Sequence, residues 1–291
     1  MINNETFSVI CDDGIILKGK LFIPKNPKAV LQFNGGTAVK KEFYYPFITF
    51  LAENDFLVCT WEYRGSGEST PNNLSKCDFR YSDYGLKDMP AIKSFLTTKH
   101  PELPILIFGH STGGQQVGFM NNCEGYKAMV CFAVSTGFAP QFKWKYRLMS
   151  FYFFYIFSPI SIFLKGYVLA KPFGYMENLP KNVVLEWRDW CNKKNYCFDQ
   201  KFYKISVPEG HFNDMPFPIH VFWTNDDKIS NQKNTQDYWK NVKSGFGISF
   251  QELIPSVYQE KEINHFGFFK KKMESKLWPL ALQKLNEFLE L

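Results

Sequence analysis

The sequence predicts an α/β fold: a mostly parallel central sheet with helices on both faces and one inserted helical segment. Three observations predict it. Short apolar runs at residues 29–33, 56–63, 103–108, 128–134 and 219–223 alternate with stretches of helical spacing, the pattern of parallel strands buried on both faces. Several of these runs end on glycine-containing turns, among them Gly35-Gly36, Arg64-Gly65-Ser66-Gly67 and Gly109-His110-Ser111-Thr112-Gly113. The alternation stops near residue 139 and resumes near 219. With 291 residues, the chain accommodates one large domain and a sizeable insertion. Residues 1–138 and 219–291 form the expected core, and residues 139–218 an inserted helical lid.

The elements follow in order. Residues 7–23 read as a hairpin around Asp12-Asp13-Gly14. A strand at 29–33 leads to a helical stretch at 42–54, with Phe43, Phe47, Phe50 and Leu51 on near-helical spacing. The strand at 56–63 is followed by a helix at 82–99. The strand at 103–108 runs into Ser111, and a helix is expected from there to residue 122. A strand at 128–134 ends the first half. Residues 148–164 then carry no charge; the run is just short of a membrane span, and Pro159 is expected to break it, so a lid helix is preferred. Contact of this lid with lipid is retained as a weak possibility. The strand at 219–223 precedes Asp226-Asp227, and a final helix follows His265.

Composition excludes several classes. An apolar share of 45% with 21% charged residues describes a folded globular chain, not a disordered one. The net charge of +6 comes from interspersed Lys and Glu. Lys270-Lys271-Lys272, the densest basic run, reads as a solvated face, so no nucleic-acid partner is expected. Seven cysteines are scattered with no C-x-x-C pair, which implies neither a zinc ribbon nor a redox pair and suits a reducing cytoplasm. Cys59 and Cys131 read as buried thiols. The first thirteen residues lack a basic-then-apolar leader pattern.

Chemistry concentrates at Ser111. G-x-S-x-G directly after an apolar strand makes a sharp strand-to-helix turn that pushes the serine oxygen outward, and Gly109 and Gly113 leave room around it. The following helix start offers free N–H groups where an oxyanion would form. A serine hydroxyl needs a histidine base oriented by a carboxylate, and after such a turn the acid and then the histidine come later in the chain. Of the later histidines, His211 falls in the insertion and His220 inside a strand. His265 sits before the last helix and is the expected base. Asp226 and Asp227 both follow the strand at 219–223. Asp227 is preferred, because one spacer separates it from the apolar residue that anchors the loop. Two oxyanion donors are expected: the Thr112 N–H, and one from Asn34-Gly35-Gly36-Thr37, where Gly36 is favoured over Thr37.

These residues resemble the α/β-hydrolase superfamily and, within it, the serine-aminopeptidase-like hydrolases. Trp61-Glu62-Tyr63-Arg64-Gly65-Ser66-Gly67-Glu68-Ser69 is similar to their D-x-R-G-x-G-x-S segment, with Glu62 replacing the aspartate. Asn34-Gly35 stands where many members carry His-Gly. In the insertion, Gly166-Tyr167, Leu179-Pro180 and Trp187-Arg188-Asp189-Trp190-Cys191 resemble the lid of a poorly characterised bacterial branch, as does the His-Phe-Gly-Phe-Phe around His265. The resemblance implies the α/β-hydrolase fold and a serine hydrolase with the triad Ser111, Asp227 and His265. It further implies Trp187 and Trp190 in the substrate pocket, and no metal or organic cofactor. Its members include esterases, lipases, thioesterases and peptidases, so fold alone does not select a substrate. The aromatic lid favours a small-molecule ester with an apolar acyl group. A peptidase or amidase using the same triad, or a catalytically silent binding member, are the alternatives.

Overall fold

A computed structural model describes residues 2–174 and 176–291. Strands β1 (Asn3–Ile10) and β2 (Ile16–Ile23) form the opening hairpin, closed at Gly14, whose φ of +81° suits glycine. Then come β3 (Ala29–Asn34), helix α1 (Tyr45–Glu53), β4 (Phe56–Trp61), α2 (Met89–Lys99), β5 (Ile105–His110), the one-turn α3 (Thr112–Gln115) and β6 (Tyr126–Phe132). The insertion follows, with α4 (Trp144–Tyr152), α5 (Ser158–Lys165), a minimal hairpin of β7 (Tyr167–Val168) and β8 (Leu179–Pro180), and α6 (Lys181–Cys191). The chain ends with β9 (Ile219–Thr224), α7 (Gln232–Trp239), β10 (Ile248–Leu253), the short α8 (Asn264–Gly267) and α9 (Trp278–Glu290).

Eight strands make one sheet in the order β1-β2-β4-β3-β5-β6-β9-β10. The β1–β2 and β2–β4 pairs are antiparallel and all the others parallel. Strand residues alternate between two apolar layers. Leu31, Phe33, Val58, Phe108 and Val130 pack with α1 and α9, while Val30, Leu57, Cys59, Ile107 and Met129 pack with α2 and with Val183 and Trp190 of α6. The insertion therefore shares the core's second layer. Such a sheet carries its functional groups at the carboxyl ends of its strands, and the candidate site lies at the ends of β3, β5 and β9.

Three local expectations are corrected. The helix after Ser111 stops at Gln115 rather than near residue 122. Gly113 and Gly114 are poor helix formers, held here because a Cβ would lie 2.0 Å from the Asn34 carbonyl oxygen at Gly113 and 2.5 Å from Val134 at Gly114. Pro159 does not break the insertion helix. A π-helical turn at Phe153–Phe157 joins α4 to α5, Pro159 occupies the first turn of α5, and the helix runs unbroken over Trp144–Lys165. Strand β10, unmarked in the sequence reading, is a half-exposed edge with Ser249, Gln251 and Glu252 between its apolar residues.

The R-G-x-G-x-S segment is a clamp. The Arg64 guanidinium bonds Asp88 at 2.5 Å and Asp13 at 2.7 Å, tying the end of β4 to the opening hairpin and the turn before α2. Glu62 accepts from Lys41 at 3.0 Å and from the Glu68 N–H at 2.8 Å, closing the same turn.

His220 lies buried in β9, its Nδ1 2.7 Å from Ser249 Oγ, and burial lowers its pKa to about 4. An unfolded histidine protonates at about 6.5. Stability supplied by the neutral ring is thus complete above about 6.5 and is lost as pH falls towards about 4. Thermal unfolding followed between pH 7 and 4 should show Tm falling across this window. His220→Gln should flatten that slope; an unchanged slope would remove His220 as its source.

Candidate active site

Strand β5 delivers Ser111 into a strained turn. Its φ is +52° and ψ −118°, a left-handed conformation that a non-glycine residue adopts only where its surroundings enforce it. The enforcement is visible: the Ser111 N–H donates to the Phe132 carbonyl at 3.0 Å, and its own carbonyl accepts from Gly114 and Gln115 at 3.0 and 3.1 Å. A Cβ on Gly109 would lie 2.7 Å from the Gly114 backbone, so both glycines flanking the serine are required by space. Asn34 braces the turn through its amide, which donates to the Gly113 carbonyl at 3.2 Å. Ser111 is half-buried.

The two adjacent aspartates do different work. Asp227 Oδ2 lies 2.8 Å from His265 Nδ1, while Oδ1 accepts from the Ile229 and Ser230 N–H groups at 2.7 and 2.9 Å. Asp226 points elsewhere. It accepts from Thr224 Oγ1 at 2.6 Å and from the Ile263 and Asn264 N–H groups at 2.8 and 3.0 Å, holding the start of the turn that carries His265. His265 sits in α8, a helical turn rather than an open loop, and is 7% exposed. Phe268 and Phe269 anchor that turn against Phe132, Tyr44 and His110.

A relay absent from the sequence reading joins three parts of the site. The Gly36 N–H donates to Tyr44 Oη at 2.8 Å, Tyr44 Oη lies 2.7 Å from His110 Nδ1, and His110 Nε2 lies 2.9 Å from the His265 carbonyl oxygen. Burial holds the His110 pKa well below its usual value and the Tyr44 phenol well above its own. The neutral ring then donates from Nε2 to the His265 carbonyl and accepts the Tyr44 proton at Nδ1. The loop after β3, the residue preceding Ser111 and the backbone of His265 are thereby pinned to one another. The sequence analysis met His110 only as a residue of the turn before Ser111, and nothing in the sequence marked Tyr44.

This relay corrects one expectation. The Gly36 N–H, the favoured oxyanion donor, is already bonded to Tyr44. The Thr37 and Thr112 N–H groups have no hydrogen-bond partner among the described residues. Their side chains meet: Thr37 Oγ1 lies 2.5 Å from Thr112 Oγ1, and Tyr81 Oη bonds both, at 3.1 and 2.5 Å. Burial pushes the Tyr81 phenol up to about 12, so it stays protonated. Tyr196 and Gln115 extend the network behind it.

The insertion reaches this network through α6. Trp187 stacks on Tyr81 at 5.9 Å between ring centres and is partly exposed. Trp190 is wholly buried between Tyr81, Phe119 and Tyr196, so it packs the joint and presents no face to a ligand, contrary to its expected place in a pocket. Glu186 fastens α6 to the core, accepting from the Ser82 N–H at 2.8 Å and pairing with Arg80 at 2.8 Å. The Glu177 N–H donates to the Ala38 carbonyl at 3.0 Å, tying the insertion to the loop after β3. His211 and His220 take no part in the site: His211 is 4.0 Å from Glu124, and His220 bonds Ser249. Among the described residues, no group of three or more His, Cys, Asp or Glu side chains could hold a metal ion.

Comparison with known proteins bears on the fold and on part of the sequence. The family described as serine aminopeptidase, S33 matches residues 25–166, a span that contains Ser111 but ends before Asp227 and His265. No curated protein matches the sequence. Among solved structures, a thermostable carboxyl esterase from Bacillus coagulans in complex with glycerol is similar at TM-score 0.60 and 12% identity, over 99% of this chain and 100% of that one. An esterase from Pyrococcus furiosus is similar at 0.59 and 15%, over 99% and 91%. A serine hydrolase without a lid from Xanthomonas campestris is similar at 0.55 and 10%, over 97% and 95%. At these identities the likeness is one of fold. The chain has the fold of these α/β hydrolases, and its residues 25–166 resemble the family described as serine aminopeptidase, S33.

Proposed function

We propose that the chain hydrolyses a carboxylic ester with an apolar acyl group through the triad Ser111, His265 and Asp227. The observation that carries this reading is the pairing of a strained, half-buried Ser111 at the end of β5 with a buried His265–Asp227 hydrogen bond of 2.8 Å. His265 Nε2 takes the Ser111 proton as Oγ attacks the ester carbonyl. Asp227 holds the tautomer with hydrogen on Nδ1 and stabilises the imidazolium. The N–H groups of Thr112 and Thr37 receive the oxyanion, with Thr37 replacing Gly36 in that role. The intermediate then collapses: the bond from carbonyl carbon to alkoxy oxygen breaks, and the imidazolium proton passes to the departing alcohol. Water, deprotonated by His265, cleaves the acyl-enzyme to acid and free Ser111.

Residues 139–218 act as the lid in this reading, with Trp187 the partly exposed aromatic wall stacked on Tyr81. The aminopeptidase description of the matching family favours one second reading, amide cleavage by the same groups. A p-nitrophenyl ester series from acetate to octanoate, set against aminoacyl p-nitroanilides, separates the two. Esters should be turned over with kcat/KM rising along the series. A higher kcat/KM for an aminoacyl anilide would replace the ester reading with the amide one.

A further inference from the structure

We propose that the outward face of the helix Trp144–Lys165 docks on an anionic lipid bilayer and lies along its surface. The helix is apolar on both sides, with Phe153, Phe154, Phe157 and Ile162 turned inward onto the core. Its inward positions include Ser150, Ser158 and Ser161, and Ser161 Oγ bonds the Tyr167 carbonyl at 3.0 Å and the Leu169 N–H at 2.8 Å. Its outward positions carry Trp144, Leu148, Phe151, Tyr155, Ile160 and Phe163, all exposed, with Phe163 at 89%. A helix on a water-soluble surface carries polar and charged residues on that outer face. Only 17% of the most apolar window of this helix is buried. A continuous apolar patch of this kind marks an interaction surface rather than a solvated one.

Charge identifies the partner. Residues 139–176 contain no Asp or Glu, whereas Lys143, Lys145 and Arg147 stand at the start of the helix and Lys165 at its end, all exposed. Cations at both ends of an apolar strip match a surface with anionic headgroups above acyl chains. Trp144 and Tyr155 have the amphipathic rings that settle at that boundary. By length and composition the helix could cross a membrane. Its inward side, however, is fastened to the fold: Phe154 packs on Trp187 at 5.1 Å, and Ser161 bonds the backbone of the following segment. Those contacts hold it lengthwise on the protein, which is the posture for lying on a bilayer.

Sedimentation of the full chain with vesicles tests this independently of catalysis, so failure here leaves the ester reading standing and the reverse also holds. Vesicles of phosphatidylcholine with phosphatidylglycerol should carry the protein down, and phosphatidylcholine alone should do so far less. Binding should weaken with salt. Replacing Lys143, Lys145 and Arg147 by Gln should lower partitioning on the order of 100-fold, taking about five-fold per cation. Leu148→Glu with Phe163→Glu should lower it at least about ten-fold, with hydrolysis of a soluble short-chain ester unchanged. Three results would overturn the proposal. One is absence of binding to the anionic vesicles. Another is a dimer that the Leu148→Glu/Phe163→Glu pair dissociates, which would assign the face to a second copy. The last is recovery in cell membranes that resists alkaline carbonate, which would make the helix a span.

Discussion

Ser111→Ala is expected to lower kcat towards esters by about a million-fold, or to the assay floor, with the fold intact. The size follows from losing the group that forms the covalent intermediate: removing a serine nucleophile elsewhere costs about that much, and what remains is catalysis by the oxyanion site and binding. Folding should be unaffected, because the Ser111 hydroxyl is not among the bonds that hold the turn; the backbone of residue 111 makes those. Alanine can take the positive φ only under strain, so thermal unfolding should accompany the kinetics. A variant that keeps its Tm and more than about a hundredth of its activity would remove Ser111 from the chemistry.

The second large effect separates two neighbouring carboxylates. Asp227→Asn should lower kcat by about ten-thousand-fold, because an amide facing His265 Nδ1 favours the wrong imidazole tautomer. Asp227 Oδ1 also receives two backbone N–H groups, which an asparagine oxygen can still accept, so the loop should survive. Asp226→Asn should cost far less. Its bonds are to Thr224 and to the Ile263 and Asn264 N–H groups, and its loss loosens the turn carrying His265 without touching the imidazole. Kinetics of the two variants on one ester give the ranking, and the reverse order would exchange their roles.

The sheet was legible because its strands are buried on both faces and therefore almost uniformly apolar, as at residues 29–33 and 103–108. Ser111 was legible because a strand-to-helix turn this tight needs glycine at 109 and 113 for space. The Asp226–Asp227 preference rested on loop spacing alone, whereas in the structure it is side-chain direction that separates them, Asp227 facing His265 Nδ1 at 2.8 Å and Asp226 facing the Ile263 and Asn264 N–H groups. What remained hidden depends on tertiary contact. The occupation of the Gly36 N–H is set by a tyrosine eight residues away on the helical stretch that follows, and no local pattern marks Tyr44 for that bond. Trp190 looked like a pocket residue by its kind, but burial against Tyr81 and Tyr196 decides its use. Pro159 looked like a breaker, yet a π-helical turn before it lets the helix continue. Strand β10 escaped because an edge strand with one solvated face mixes polar and apolar residues without a clean period.

Covalent labelling with a fluorophosphonate, followed by mapping of the modified peptide, tests the triad most directly. The phosphonate reacts with a serine only where a neighbouring base takes its proton, so one reaction interrogates nucleophile and base together. Wild-type protein should carry a single label, on Ser111. His265→Ala should lose rapid labelling while remaining folded, whereas His211→Ala and His220→Gln should keep it. A label on another residue, undiminished labelling of Ser111→Ala or His265→Ala, or a folded wild-type protein that takes no label would contradict the assignment.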